Sequence, residues 1–451
     1  MARRRNTWLG FSGYFRESNQ RNSFMKVWLI QRAEPTPHDG DGSQRTMRMG
    51  ILAQMLARTG HRVLWWTSTF DHFNRHHRYE TDMRLSVESG YEIQYLHGCG
   101  YSRNISLSRI RDNFLVARQF SVLAEKGPEQ PDIILASIPT AELGLAAVNY
   151  ARKRAIPVLL DIRDLWPDVF FDLVPPVLKP AVRLLSAPML RKLKGACMGS
   201  NGIIGLTDAF VDWGVAHAQR SRTDNDRVFP MGYSAEDIPA DRIEEGKRFW
   251  RRMGVSCDND ELIMVFLGTF GTGFDFVPLF QAAKLLESRR IPAKFIICGA
   301  GESAVQIKRQ AQGLNSVLFP GWVNAEQVMA LLELADIGLA PYIESMNYIN
   351  NIPNKPAEYL SGGLAIALSL NKGALYNLLE RRGCGFSYDN SAEKLAIELE
   401  TLASNSSRLK TFQSNALTTF KESFDGVTIY MSLIKFLEQI VQNRHDAFSE
   451  T

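Results

Sequence analysis

The sequence predicts an α/β fold of two Rossmann-like halves in series, and three observations carry that expectation. From Met25 onward, short apolar runs alternate with longer amphipathic ones, the rhythm of strand, helix, strand in a parallel sheet. A second series of the same kind begins near Leu262, and a glycine-rich loop follows the first strand of each series. A chain of 451 residues also exceeds what one hydrophobic core usually supports. The expected divisions are a tail or upstream start over 1–24, a first domain over 25–232, a second over 233–425, and a helix and tail over 426–451 that crosses back to the first domain.

In the first half, Lys26–Gln31 reads as a strand, His38–Ser43 as a polar glycine loop, and Arg45–Thr59 as an amphipathic helix that Gly60 stops. Further strands are expected at Arg62–Thr67, Ile93–Tyr95, Ile133–Ala136, Val158–Asp161 and Gly202–Leu206. A polar connection follows from about Ala218 to Glu261. In the second half, strands are expected at Leu262–Leu267, Lys294–Cys298, Val317–Phe319, Ile337–Leu339 and Leu364–Leu368. Helices should lie around Phe276–Arg289, Ser303–Gln312, Ala325–Leu334 and Pro356–Leu360. Two such halves imply a central cleft, with ligands beyond the carboxyl ends of the strands.

Composition removes several classes of function. Hydrophobic content of 45% and charged content of 22% are those of a globular enzyme. A net charge of +4, without zinc-finger spacing or an aromatic RNA-binding motif, gives no argument for nucleic acid. The five cysteines are scattered and form no Cys-x-x-Cys pair, which fits a reducing cytoplasm. No stretch reads as a transmembrane helix, and the basic start Met1–Asn6 lacks the apolar core of a secretory signal.

The most informative stretch is Asn354–Gly363, in which Lys355 and Glu358 stand at the start of a short helix that a glycine pair ends. Unpaired N–H groups and a positive partial charge suit such an end to a phosphate, and a carboxylate one turn on suits ribose hydroxyls. An ordinary capped helix is the competing explanation. The loops Asp39–Ser43 and Gly268–Gly273 could bring backbone N–H groups close to a phosphate, although tight turns explain either alone. Gly299–Ala304 matches a loose dinucleotide fingerprint but lacks the acidic residue expected near Phe319.

The pairs Asp39/Asp41 and Asp258/Asp260 have metal-binding spacing but read as turns, and His72, His76 and His77 read as a solvated loop crowded by Arg75 and Arg78. No metal is expected. Asp161–Asp168 gathers three carboxylates, Arg163 and Trp166 after a buried strand, where an ion pair that fixes the loop and a role in binding are both open. Lys179, Arg183, Arg191, Lys192 and Lys194 are interleaved with apolar residues and no acidic ones, which suits a helix on an anionic bilayer. A core helix with a solvated basic face is the alternative.

Taken in order, these motifs resemble the retaining glycosyltransferases of family 4, with the GT-B double-Rossmann fold. The resemblance runs through Thr59–Val63, Asp161–Asp168, Arg227–Gly232, Phe266–Thr269, Ile296–Gly301, Val317–Val323, Ala335–Pro341 and Asn354–Gly363. The Arg-Asp-Leu-Trp-Pro run is most similar to the branch that builds capsule and O-antigen sugars. The resemblance implies transfer of a hexosyl or N-acetylhexosaminyl group from a nucleotide sugar, expected to be UDP-linked, to a lipid-linked or saccharide acceptor. It implies neither cofactor nor metal, and a cytoplasmic protein, peripheral on the inner face of the membrane.

By the same resemblance, Glu358 would meet the ribose, Lys355 and the Gly268–Gly273 loop (Gly268, Thr269, Gly271, Gly273) the diphosphate, and Gly321, Trp322 and Val323 the base. Gly299 and Gly42 would also approach the donor. Arg163 would stand where many members place a sugar-contacting histidine, with Asp164 beside it on the acceptor. Two positions depart from the family pattern: Asn350 replaces the first of two glutamates, and Gly271–Asp275 lacks an Arg and Lys pair. A double-Rossmann sugar-nucleotide epimerase and a catalytically silent sugar-nucleotide-binding protein remain the alternatives.

Overall fold

The computed structural model describes residues 24–39, 46–127, 129–172, 174–234, 238–256 and 261–449. The chain divides into two compact units, one ending at Pro230 and resuming at Thr428, the other spanning Met231–Val427.

The first unit contains β1 (Lys26–Ile30), α1 (Arg48–Arg58), β2 (Arg62–Ser68), β3 (Met83–Val87), β4 (Tyr91–Leu96), α2 (Leu107–Lys126) and β5 (Ile133–Ile138). It continues with α3 (Ala141–Lys153), β6 (Val158–Ile162), α4 (Lys179–Gly199), β7 (Gly202–Gly205), α5 (Asp208–Ala218) and β8 (Arg227–Val228). Eight strands form one sheet in the order β3-β4-β2-β1-β5-β6-β7-β8, parallel except for β3. Central strands such as β1, β5 and β6 are buried on both faces, hence their unbroken Val, Ile and Leu runs.

The second unit contains α6 (Ala240–Arg252), β9 (Leu262–Leu267), α7 (Val277–Ser288), β10 (Ala293–Cys298), α8 (Ala304–Gln310), β11 (Val317–Gly321), α9 (Ala325–Leu334) and β12 (Ile337–Ala340). Then come α10 (Met346–Asn350), α11 (Asn354–Ser361), β13 (Ala365–Leu368), α12 (Ala374–Arg382), β14 (Gly385–Ser387), α13 (Ala392–Ser404) and α14 (Ser406–Ser423). Its six strands are all parallel, in the order β11-β10-β9-β12-β13-β14. The last helix, α15 (Gly426–Ser449), leaves this unit at Val427. Within the first unit it sets Phe436 against Phe229, with Arg227 over the Phe436 ring at 4.5 Å.

The expected strands fall within a residue or two of those observed. Several elements were not expected from the sequence, among them β8, β14, α10 and α12–α14, and two of them show why. The edge strand β3 is largely exposed and carries no apolar run. The polar connection before Leu262 holds a full helix, α6, whose Trp250 is wholly buried and donates to the Gln327 carbonyl at 2.7 Å. Strand order reverses at β1, between β2 and β5, and at β9, between β10 and β12. Those switch points are where open parallel sheets hold ligands.

Candidate functional site

In the second unit the switch point is built by β9, whose buried run Leu262–Leu267 ends directly at Gly268. Gly268, Gly299 and Gly301 all have φ in the left-handed range, at +152°, +143° and +156°. These loops nest against each other: the Gly268 N–H donates to the Cys298 carbonyl at 3.0 Å, and the Phe270 N–H to the Ala300 carbonyl at 2.8 Å. Gly299 donates to the Gly321 carbonyl at 2.8 Å. A Cβ at Gly299 would collide with the Gly268 carbonyl, so glycine is required by close backbone approach. The N–H groups that the sequence offered to a phosphate at Gly268 and Gly299 are thus engaged within the loops, so a positive charge at this end has to come from a side chain.

Helix α11 supplies one. It starts after Pro353, no side chain caps its first turn, and Pro356 cannot donate, so the first-turn amides of Asn354 and Lys355 form its open end. Its position is fixed by Tyr359, fully buried, whose hydroxyl donates to the Leu339 carbonyl and accepts from the Leu267 N–H at 3.1 Å. One phenol therefore ties α11 to the end of β12 and to the residue before Gly268. Gly338 makes room for the ring, since a Cβ there would lie 2.8 Å from the Tyr359 Cβ.

Lys355 consequently reaches Gly268. Its ammonium stands 5.0 Å from the Phe274 ring centre and 5.5 Å from that of Phe266, a cation held over two aromatic faces. Burial lowers its pKa, against the pull of the Glu358 carboxylate. Glu358 is half-buried one turn on. Tyr348 approaches from α10, stacked on Tyr342 with ring centres 4.5 Å apart, and a Cβ at Gly273 would lie 3.0 Å from its ring. Gly271 faces open space and Thr269 is exposed. Gly321 turns with φ +85°, leaving the Trp322 indole 73% exposed while Val323 packs on the core. Gly42 lies outside the described residues, as do Asp41 and Asp258–Asp260.

Sequence reasoning brought Lys355, Glu358 and Gly268 to one end of this sheet, and the structure joins them. It missed Phe266, Phe274, Tyr348 and Tyr359. The aromatic spacing around Gly268, with Phe266, Phe270, Phe274 and Phe276, was the available signal.

In the first unit, Asp161 is fully buried and receives the Arg48 guanidinium at 3.0 Å, while Arg48 also donates to the Pro230 carbonyl at 2.9 Å. Arg163 is bonded to Glu34, whose other oxygen accepts from the Met49 N–H at 2.9 Å at the start of α1. Of the two roles the sequence left open for Arg163, the ion pair that fixes the loop is present, with Glu34 as its partner. Asp164 accepts from the Leu165 N–H at 2.9 Å and is half-buried. Burial would raise the Asp168 pKa, but hydrogen bonds from His217 and Trp213 hold it below the usual carboxylate range.

The histidine loop differs from its expected solvated state. His76 is exposed, but His72 bonds the Tyr101 hydroxyl at 2.6 Å and His77 bonds Thr69 at 3.0 Å. Among the described residues no three His, Cys, Asp or Glu side chains are grouped to hold a metal ion, and Asp39 instead caps the Thr36 N–H and pairs with Arg78. On α4, Lys179, Arg183, Arg191 and Lys194 are exposed beside exposed Leu184 and Leu185, whereas Lys192 pairs with Glu142 at 3.0 Å. No helix among the described residues is long and apolar enough to cross a membrane.

Residues 261–405 match the family described as Glycosyl transferases group 1. A comparison with curated proteins gave no match. Among solved structures, the chain is similar to Anabaena Alr3699/HepE in complex with UDP and glucose, at 15% identity and a TM-score of 0.59 over 92% of this chain and 100% of that one. It is similar to sucrose-phosphate synthase from Thermosynechococcus elongatus, at 13% identity and a TM-score of 0.64 over 94% and 100%. A third is WaaG, described as a glycosyltransferase involved in lipopolysaccharide biosynthesis, at 15% identity and a TM-score of 0.59 over 92% and 99%. These likenesses show the GT-B fold.

Proposed function

We propose that this chain is a retaining glycosyltransferase of family 4 that moves a sugar from a UDP-linked donor to a hydroxyl of a lipid-linked or saccharide acceptor in surface polysaccharide assembly. The observation that carries the reading is Lys355 seated on Gly268 at the switch point of the second sheet, inside the segment that matches Glycosyl transferases group 1. A relative of the same fold was solved with UDP-glucose bound.

In this reading the donor diphosphate lies beside Lys355 and the open first turn of α11, Glu358 accepts from the ribose hydroxyls, and the base rests near Gly321, Trp322 and Val323. The bond between the anomeric carbon and the diphosphate oxygen breaks as the bond to the acceptor oxygen forms, and the acceptor proton passes to the departing phosphate. Negative charge grows on that leaving group, and a preorganised, half-desolvated ammonium stabilises it more than water would. We assign no metal to this step, because Lys355 supplies positive charge where the leaving group would lie.

A second part of the proposal concerns place: α4 rests on the anionic inner face of a membrane. Its support is the exposed apolar run of Val177, Leu184 and Leu185 among Lys179, Arg183, Arg191 and Lys194.

The test is incubation with UDP-glucose and related donors, with and without acceptors, read by thermal shift and by product analysis. Stabilisation by a nucleotide sugar and acceptor-dependent release of UDP are expected. Conversion of the donor without any acceptor would favour an epimerase, and binding without turnover across a broad acceptor panel would favour a silent binding protein.

A further inference from the structure

Three guanidiniums converge on one aromatic ring in the first unit. The central carbons of Arg32, Arg75 and Arg109 lie 5.6, 5.2 and 5.4 Å from the centre of the Tyr101 ring, and that of Arg109 is 4.3 Å from the Trp166 ring. The cluster stands at the carboxyl end of the sheet. Arg32 follows β1, Arg75 follows β2, Tyr101 follows β4, and Arg109 is in the first turn of α2, whose cap Ser106 accepts from the Arg109 N–H. Chain separations of tens of residues hide the grouping, which strand order alone creates.

Nearby carboxylates neutralise only Arg32, whose two terminal nitrogens are taken by buried Asp112 and by Asn113, and leave Arg75 and Arg109 uncompensated. Asp112 is fully buried and bonded to Arg32, and its other oxygen is occupied by the Gly100 N–H at 2.8 Å. Asp71 caps Phe73 and Asn74 and lies 3.7 Å from Arg78. Asp164 attracts Arg109, but Arg75 and Arg109 are themselves bonded to neutral oxygens of Asn104, at 2.7 and 2.9 Å. One nitrogen of Arg75 is buried with no partner. Arg75 also adopts φ +60°, in the left-handed region where a bulky residue is strained, inside a loop closed by the Asp71–His76 and Arg78–Thr69 backbone bonds. His72 reports the excess charge: burial first, then Arg109, Arg75 and Arg32, pull its pKa down to about 4, against Asp71.

Stacking on an aromatic ring holds guanidiniums in place but leaves their charge and their outward N–H groups available. We propose that Arg75 and Arg109, held on Tyr101 beside the Asp112-paired Arg32, Asp164 and Trp166, bind a phosphate or diphosphate group carried by the acceptor. This rests on the glycosyltransferase reading only for the word acceptor; the anion site stands on its own geometry. It makes the acceptor a phosphorylated one, either a soluble sugar phosphate or a phosphate-linked lipid, with the anion fixed on the first unit and a hydroxyl presented for transfer.

The test uses the full chain with inorganic pyrophosphate titrated calorimetrically in saturating UDP, so that any donor diphosphate site is filled. The wild type should bind, R75Q/R109Q should bind at least tenfold more weakly, about 1.4 kcal/mol, and R75K/R109K should retain part of the affinity. If R75Q/R109Q melts well below the wild type, Arg109→Gln alone carries the comparison. Equal binding by wild type and glutamine variants, or no binding by the wild type, overturns the proposal. Flotation with phosphatidylcholine vesicles carrying phosphatidic acid separates the sources: a loss in R75Q/R109Q supports a lipid phosphate, and unchanged flotation with lost pyrophosphate binding supports a soluble one. UDP-glucose binding measured in parallel keeps the two readings distinct. Arginine-dependent pyrophosphate binding without donor binding overturns the transferase reading alone, and the reverse overturns this one alone.

Discussion

The ammonium of Lys355 lies against the α-carbon of Gly268, so closely that a Cβ built on that glycine would stand 2.6 Å from Nζ. Glycine there does two things: it admits a left-handed φ of +152°, and it lets the cation reach the end of β9. Gly268→Ala should displace the flexible end of Lys355 and strain the turn at a cost on the order of 1–3 kcal/mol. UDP-glucose affinity should fall roughly tenfold, the scale of one charged hydrogen bond, which titration calorimetry will read. Unchanged affinity would mean that Lys355 does not need that position.

The lowered pKa of Lys355 gives a pH signature with two opposite signs. Because burial depresses it below the ordinary value of 10.5, the folded chain binds fewer protons than the unfolded one between the two values. The contribution of this group to stability therefore rises with pH over that window. Attraction for a diphosphate needs the proton and falls over the same window. Donor affinity measured from neutral to alkaline pH should decline below the ordinary lysine range, with proton uptake on binding in that limb. A Lys355→Met variant should lose both the decline and the uptake.

Arg163 and Glu34 form a largely buried pair, and Glu34 also accepts from the first turn of α1. Removing one partner leaves a buried charge alone, which typically costs about 3–5 kcal/mol. Arg163→Ala should lower the unfolding free energy by about that amount in urea melts. Arg163→Ala/Glu34→Gln should recover part of it. A stable Arg163→Ala that only loses turnover would instead place Arg163 on the substrate.

If α4 contacts a membrane, its exposed leucines carry the apolar part of the binding. Burying a leucine is worth about 1.5–3 kcal/mol, so Leu184→Glu/Leu185→Glu should reduce flotation with anionic vesicles more than tenfold. Lys192→Gln should matter less than Arg191→Gln, because Lys192 is already paired with Glu142. Equal effects would argue against this face.

The sheets were legible because their strands are buried on both faces and read as unbroken apolar runs, as in Leu262–Leu267. The edge strand β3 and the charged helix α6 carry no such run, since the one is largely exposed and the other buries little beyond Gly246 and Trp250. In the candidate site, Lys355, Glu358 and Gly268 stood out by local chemistry. What stayed hidden depends on long-range partners: Arg163 meets Glu34 across 129 positions, and Tyr359 reaches Leu267 across 92. The arginines around Tyr101 look like ordinary surface charge until β1, β2 and β4 are set side by side.

Lys355 is the charge proposed to hold the donor diphosphate. The direct measurement is calorimetric binding of UDP-glucose to the wild type and to Lys355→Ala, with melting temperature followed on both. A tenfold or greater loss of affinity is expected with melting temperature retained, since removing a half-desolvated cation relieves the fold. Equal affinity in the two proteins would contradict it.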